Sequence, residues 1–499
     1  MPTEPVFEKL TVREKAGEVL SQIKVECKTD IPTEIVERML NENASATVTL
    51  GEIRKGRAEI NGKVTFFLCY STADGIKKAE CGAEVKDSLV SDLIEDGDRI
   101  NLYCRADKPE VDLSGLKASV SVYLTVRGVV FRKREYPILT GGENVFTDER
   151  TVNVIKHLGS PLSAYTVEEE FEIPFAVREV LCHRAEACVS SVQCGVGTVV
   201  CDGEIYLTEI LLQSGEKSDI IRENKVLSFR AEIACDDAMP QSTASCRVNV
   251  KSLKTDIAVD EEKNLSAVTV NVQLSLSAEA YSLEEKVLVK DAFSVERELS
   301  LKRERAVFSA ESEPFSVYAK FTGTVAAEGL ENAKIVAVIS EKTEIASCEK
   351  TDGEISVGGV ATLNVMFIDG DGKPFSRKAE MPFEHRIPFD GAGKIDVIAV
   401  PKCAKAKITN GNGLECETET VFTVYEEKET AAEVITEAAV GEEKTENDHA
   451  ISVYIPLEGE DLWELAKRLN VAPETLVLTN KELRFPLTGK ERITVYRQK

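Results

Sequence analysis

The sequence predicts a mainly β protein: three repeated antiparallel β-rich, sandwich-like domains, then a small C-terminal βααβ module. Three observations carry this. A glycine-led strand pattern recurs three times at domain-sized spacing. Long stretches alternate polar and apolar residues with period two. The last fifty residues switch to strand, two short helical patterns and strand.

The recurring pattern begins at Gly62, Gly203 and Gly359, which lie 141 and 156 residues apart. Counting from each glycine, positions +2, +4, +6 and +8 are Val64, Phe66, Leu68 and Tyr70 in the first copy. They are Ile205, Leu207, Glu209 and Leu211 in the second, and Ala361, Leu363, Val365 and Phe367 in the third. Such alternation belongs to a strand with one buried face; Glu209 is the exception. Hairpin turns follow at Ala73-Asp74-Gly75, Ser214-Gly215-Glu216 and Asp369-Gly370-Asp371-Gly372. A second element also repeats: Val145-Phe146-Thr147-Asp148-Glu149-Arg150 resembles Ala292-Phe293-Ser294-Val295-Glu296-Arg297. Each copy opens the connection into the next unit. Residues 117–126 and 267–280 read as further amphipathic strands, and 32–40 as a helix entered from Asp30 or Thr33. These features divide the chain into units at 1–148, 149–298 and 299–425.

Residues 426–448 hold nine acidic and two basic residues and no aromatic one. This composition predicts a flexible, self-repelling linker over 426–449. From 450 to 499 there are seven acidic and eight basic residues, so a near-neutral module ends the chain. Ile451 to Ile455 alternates as a strand, and Asp461 stands where it caps a helix. Leu462, Leu465, Ala466 and Leu469 recur at helical spacing, which places Trp463, Leu465 and Leu469 in a small core. Pro473 opens a second helix that stops at Asn480, and 492–496 closes as a strand.

Composition excludes several function classes. The formal net charge of −25 argues against nucleic acid and against an anionic membrane surface. No apolar run reaches about 18 residues, so no membrane insertion is expected. Residues 1–17 carry scattered charges and no apolar export core. Thirteen cysteines without compact disulfide spacing fit a reducing, cytoplasmic setting.

The C-terminal residues carry a family resemblance. Gly459-Glu460-Asp461-Leu462-Trp463-Glu464-Leu465-Ala466, Val471-Ala472-Pro473-Glu474-Thr475-Leu476, Asn480 and Pro486-Leu487-Thr488-Gly489 resemble the LysM family. That resemblance implies a shallow groove between two loops. Gly459, Glu460, Asp461 and Leu462 would form one side, and Asn480, Lys481, Glu482 and Leu483 the other. LysM grooves take N-acetylglucosamine glycans, so peptidoglycan is one implied ligand. The family usually has Gly-Asp-Thr-Leu at the first site. Here Asp461 puts an acceptor-only carboxylate where a hydroxyl usually sits.

The three units resemble the SPOCS family of spore-coat-associated proteins from spore-forming Firmicutes. The carrying residues are 31–40 with 62–70 in the first unit, and 359–367 with Met381-Pro382-Phe383-Glu384-His385-Arg386-Ile387-Pro388-Phe389 in the third. Three such units followed by LysM imply a non-enzymatic scaffold of spore-coat assembly. It would act in the mother-cell cytoplasm at the forespore surface, with the spore-coat morphogenetic ATPase as its protein partner.

No catalytic constellation is visible. There is no Walker A sequence and no G-x-S-x-G, and the four histidines sit in no recognisable arrangement. Cys182, His183, Cys188, Cys194 and Cys201 form the densest soft-ligand cluster. Their gaps are too long for paired zinc spacing, so they read as small hydrophobes in strands, with no metal or other cofactor. Asp369 to Gly372 is similar to a calcium loop but lacks the later acidic ligands and runs into Pro374, so it reads as a turn.

Overall fold

Each glycine-led strand is the middle of a three-stranded antiparallel sheet in the computed structural model. The model describes residues 3–215, 219–260, 262–327, 329–409, 413–444 and 451–496. Part of the turn expected at 214–216, and residues 445–449 of the expected linker, lie outside the described residues.

The first unit contains β1 (Glu4–Pro32), β2 (Arg38–Arg54), β3 (Arg57–Thr72), β4 (Gly75–Val90), β5 (Arg99–Ala106), β6 (Glu110–Asp112) and β7 (Lys117–Glu143). The second contains β8 (Phe146–Gly159), β9 (Leu162–Ile173), β10 (Val177–Cys194), β11 (Thr198–Gln213), β12 (Ile220–Ala234), β13 (Thr243–Asp260) and β14 (Leu265–Phe293). The third contains β15 (Arg297–Glu311), β16 (Phe315–Ala326), β17 (Lys334–Thr351), β18 (Glu354–Ile368), β19 (Pro374–Pro388), β20 (Lys394–Thr409) and β21 (Gly413–Glu443).

The three-stranded sheets are β2-β3-β4, β10-β11-β12 and β17-β18-β19. Each faces a four-stranded sheet built on the unit's long last strand, namely β7, β14 or β21. A separate apolar core lies between the two sheets of each unit. The alternating residues of β3, β11 and β18 fill these cores. Burial of that apolar face, rather than strand propensity alone, holds the sheets together.

The glycines that lead the pattern share one cause. A Cβ on Gly62, Gly203 or Gly359 would lie 2.2, 2.3 or 1.9 Å from the carbonyl oxygen of Thr47, Cys188 or Glu344 on the neighbouring strand. In the second and third units that strand bulges at this point, between Val189 and Ser191 and between Ile345 and Ser347. The bulged backbone presses in where only a residue without a side chain fits.

The end of each long strand pairs with the strand that opens its unit, forming three two-stranded ribbons: β1/β7, β8/β14 and β15/β21. The ribbons pack on one another. Val12 and Tyr136, Tyr281 and Leu288, and Phe308 and Val434 share one core. A second shared core joins the three-stranded sheets through Leu40 and Cys69, Leu181 and Ile210, and Ile339 and Met366. At its centre Asn364 Nδ2 donates to Leu40 O and Asn41 Oδ1, both at 2.9 Å, and Asn41 Nδ2 donates to Cys182 Sγ at 3.1 Å.

Two sequence expectations are corrected. Residues 32–40 do not form a helix: Thr33–Ile35 is a single 3₁₀ turn, and β2 begins at Arg38. Pairing of Met39 with Tyr70 takes those residues into the sheet, a long-range contact that overrides local helical spacing. The acidic stretch is not a flexible tether over its described part. Glu427 to Glu443 runs antiparallel to β15, whose basic residues meet it: Lys302 lies opposite Glu437, Arg305 opposite Glu433 and Arg297 opposite Glu443. Cross-strand opposite charges stabilise such pairs. Ala432, Val434 and Ile435 are buried in the shared ribbon cores.

The last segment comprises β22 (Ile451–Tyr454), α1 (Leu462–Leu469), α2 (Pro473–Thr479) and β23 (Ile493–Tyr496), with β22 antiparallel to β23. No helix among the described residues is long and apolar enough to cross a membrane.

Candidate functional site

The C-terminal module sits against the tip of the β8/β14 ribbon. Phe146 and Phe293 face each other as partners at that tip, their ring centroids 5.5 Å apart. These are the phenylalanines of the two repeated connection motifs. Trp463 meets Phe293 edge-on at 5.0 Å, and Phe293 is buried in one core with Leu465, Leu469, Leu476 and Ile493. Trp463 Nε1 donates to Asp291 Oδ2 at 2.9 Å, and Lys467 Nζ reaches the same oxygen at 2.6 Å. Asn470 Nδ2 donates to Val295 O at 2.7 Å, and Lys444 Nζ donates to Asn470 Oδ1 at 2.8 Å. Burial pushes the Asp291 carboxyl up, but the hydrogen bonds from Lys467 and Trp463 outweigh it and hold it below the usual range. Trp463 therefore does more than fill the module's own core: it anchors the module to the ribbon.

The first of the two expected groove sides, at Gly459 and Glu460, meets Leu487 in the stretch before β23. Gly459 N donates to Leu487 O at 2.8 Å, and Leu487 N donates to Glu460 O at 3.0 Å. Gly459 has φ of +85°, in the left-handed region, and no atom stands where its Cβ would be.

Most of the expected groove side chains are spent within the module. Glu460 is buried and takes Arg468 bidentately, at 2.6 and 2.8 Å, while also accepting from Leu457 N at 2.9 Å. The Arg468 hydrogen bond holds its carboxyl below the usual range. Asp461 caps α1: it accepts from Glu464 N at 2.8 Å while Glu464 reciprocates, a complete capping box. Asn480 ties the end of α2 to β23, donating to Thr494 O and accepting from Thr494 N, each at 2.8 Å. Leu462 and Leu483 are half-buried against the module's core. Gly459, Lys481 and Glu482 remain exposed.

One row that faces solvent is apolar. Ile451, Val453, Ile455 and Leu457 alternate outward along β22 and the loop after it, with Ile455 70% exposed. Tyr496 lies opposite Ile451 on the same face. Leu478 on α2 is 71% exposed. Exposed Lys481, Arg484, Lys490 and Arg492 line the loop between α2 and β23. The alternation of β22 was readable in the sequence. Alternation alone would put the aliphatic row Ile451, Val453 and Ile455 on the covered face, whereas the structure leaves that row exposed and half-buries Ser452 and Tyr454.

The cysteine–histidine cluster disperses. Cys182 lies in the core shared by the three units, Cys188 packs on Tyr206 and Val421, and Cys201 is in the second unit's own core. Among the described residues no three His, Cys, Asp or Glu groups converge as a metal site. Burial pushes the Cys182 thiol up to about 12. His183 instead joins a buried polar relay: its Nδ1 lies 3.1 Å from Thr255 Oγ1, which donates to Glu209 Oε1 at 2.8 Å. Burial pushes Glu209 up to about 7 and His183 down to about 4. The residue that broke the alternation of β11 is thus a fully buried carboxyl, and its Oε2 has no hydrogen-bond partner.

No protein-family model matches the chain, and no curated protein and no solved structure is significantly similar to it.

Proposed function

We propose that the chain is a non-enzymatic scaffold of spore-coat assembly, made of three SPOCS-like domains and a C-terminal LysM-like module that binds protein. By the resemblance its partner is the spore-coat morphogenetic ATPase, met in the mother-cell cytoplasm at the forespore surface. One observation carries the preference for a protein ligand. Three of the five polar side chains of the expected groove, Glu460, Asp461 and Asn480, are committed to the module's own fold, leaving Lys481 and Glu482, whereas β22 and the loop after it expose an unbroken apolar row. Glycans need convergent, unspent hydrogen-bonding groups; protein interfaces centre on apolar anchors.

The test is co-sedimentation of the full chain with filaments of that ATPase and, in parallel, with purified peptidoglycan. The wild-type chain should pellet with filaments, and Val453→Asp should weaken this at least tenfold, because a charge in an interface core leaves it desolvated and unpaired. Pelleting with peptidoglycan alone, competed by N-acetylglucosamine oligomers and unchanged in Val453→Asp, would overturn the proposal in favour of a wall-binding protein.

A further inference from the structure

Where the three ribbons part and their strands enter the sandwiches, the outer strands break regularity. β1 shifts register between Lys15 and Gly17, β8 gives way to β9 at Ser160-Pro161, and β15 gives way to β16 at Ser312 to Pro314. A cavity of about 310 Å³ lies at this fork, walled by residues of all three units. Five carboxylates, from Glu18 to Glu427, line it against four cations.

Three of the four cations are already committed, and the fourth, Lys394, is 74% exposed and reaches outward to Glu429 at 3.5 Å. Arg247 is 7% exposed; it pairs with Glu311 through both Nε and Nη2 and with Asp396 at 2.8 Å, and lies 3.9 Å from the centre of the Tyr425 ring. Arg127 holds Asp396 at 2.7 Å. Lys15 is held by Glu18 at 2.9 Å and Glu427 at 2.8 Å.

The acceptors are not all committed. Ser309 is 3% exposed, lines the cavity, and its hydroxyl has no hydrogen-bond partner. Glu427 gives Oε2 to Lys15 while its buried Oε1 has none. Ser309 and Glu427 lie on one face of the β15/β21 ribbon, two rungs apart, which puts them within reach of one small group. Buried polar atoms without partners are rare and call for a missing partner. Glu279 is neutralised by Arg13 at 3.1 Å, but Glu427 shares Lys15 with Glu18, so the partner of its free Oε1 must donate and is best cationic, while the Ser309 hydroxyl can accept from the same group. A metal ion does not fit, since no three carboxylates converge. An anion would meet the uncompensated carboxylate oxygens.

We propose that this cavity binds a small organic primary amine, its ammonium donating to Ser309 Oγ and Glu427 Oε1 and its carbon chain resting on Val129, Phe131 and Ala310. The site is independent of the C-terminal module.

Isothermal titration of the full chain with n-butylammonium and with 1,4-diaminobutane, at fixed ionic strength, tests this. Tetramethylammonium, which has the charge but no N–H, is the control. Saturable binding of at least one amine and none of tetramethylammonium is expected, with Ser309→Ala and Glu427→Gln each weakening it roughly tenfold or more. Ser309→Thr keeps the hydroxyl and should keep binding. The proposal is overturned if the folded wild-type chain shows no saturable binding of either amine. It is equally overturned if tetramethylammonium binds as well, or if a Ser309→Ala chain with unchanged circular dichroism binds the amines with unchanged affinity.

Discussion

Replacing Asp291 by alanine should release the C-terminal module from the ribbon. The carboxylate accepts from Trp463 and Lys467 of the module and also pairs with Arg303 of β15 at 3.1 Å. The Trp463 bond is to a charged acceptor that is mostly buried, worth about 1.5–3 kcal/mol. Lys467 is 44% exposed, so its pair is worth at most about 1 kcal/mol after solvent screening. Together they give about 3 kcal/mol, roughly a hundredfold shift of the docking equilibrium. Phe293 and the Asn470 bond to Val295 would remain.

The chain has one tryptophan, so its fluorescence reports this seat directly. Release should shift Trp463 emission to the red and raise its quenching by acrylamide in Asp291→Ala at pH 7. Acid should act the same way on the wild-type chain. The carboxyl sits below its ordinary range in the docked state, so its contribution is complete above the ordinary carboxylate pKa and is lost as pH falls through the lowered one. The red shift should therefore come only below about pH 4, and Asp291→Ala should lack the transition. Emission and quenching identical to wild type in Asp291→Ala at pH 7 would refute the idea that this carboxylate holds the module.

Two further predictions concern the body. Gly359→Ala should lower the denaturant midpoint of the third unit's unfolding by the equivalent of about 1–3 kcal/mol, since its Cβ would overlap Glu344 O and the Phe383 ring; an unchanged midpoint would mean the bulge relaxes freely. Glu209→Gln should flatten part of the pH dependence of stability. The buried acid keeps its proton up to about 7 while the unfolded chain loses it near 4.5, so wild-type stability falls as pH rises through that window and levels off above it. The shift corresponds to roughly 3 kcal/mol, so the glutamine variant should gain on wild type between pH 5 and pH 8 by up to that amount, read from urea melts at the two pH values.

Much of the strand layout was legible because a buried face leaves a local trace. Val64 to Tyr70, Ile205 to Leu211 and Ala361 to Phe367 alternate in the sequence because each lies over one core, and alternation is visible within ten residues. The reason for the leading glycines was not, because the clashing carbonyl belongs to another strand fifteen residues upstream. Residues 427–443 were misread for a similar reason. Alanine and glutamate have low strand propensity, and the charges of this stretch look repulsive until β15 supplies Lys302 and Arg305 from more than a hundred residues away. Local composition reports self-repulsion, whereas the fold responds to the partner strand.

The same distinction governs the candidate site. In the fold Gly459 and Glu460 bond to Leu487; the motif singles out Gly459 to Leu462 together with Asn480 to Leu483. It could not say which polar side chains would be left over. Glu460 is taken by Arg468 eight residues later and Asn480 by Thr494 fourteen residues later. A carboxylate already bound by an internal guanidinium cannot also recognise a ligand without giving up that pair, and breaking such a pair leaves a buried charge. On the proposed protein-binding reading, recognition falls instead to the outward row of Ile451, Val453 and Ile455. The docking of Trp463 on Phe293 sets α1 against the ribbon and leaves the row on β22 exposed. A partner that approaches the free face therefore meets the module already oriented by the body, not searching from the end of a tether, and forgoes part of the ordering cost that a loose module would impose on binding.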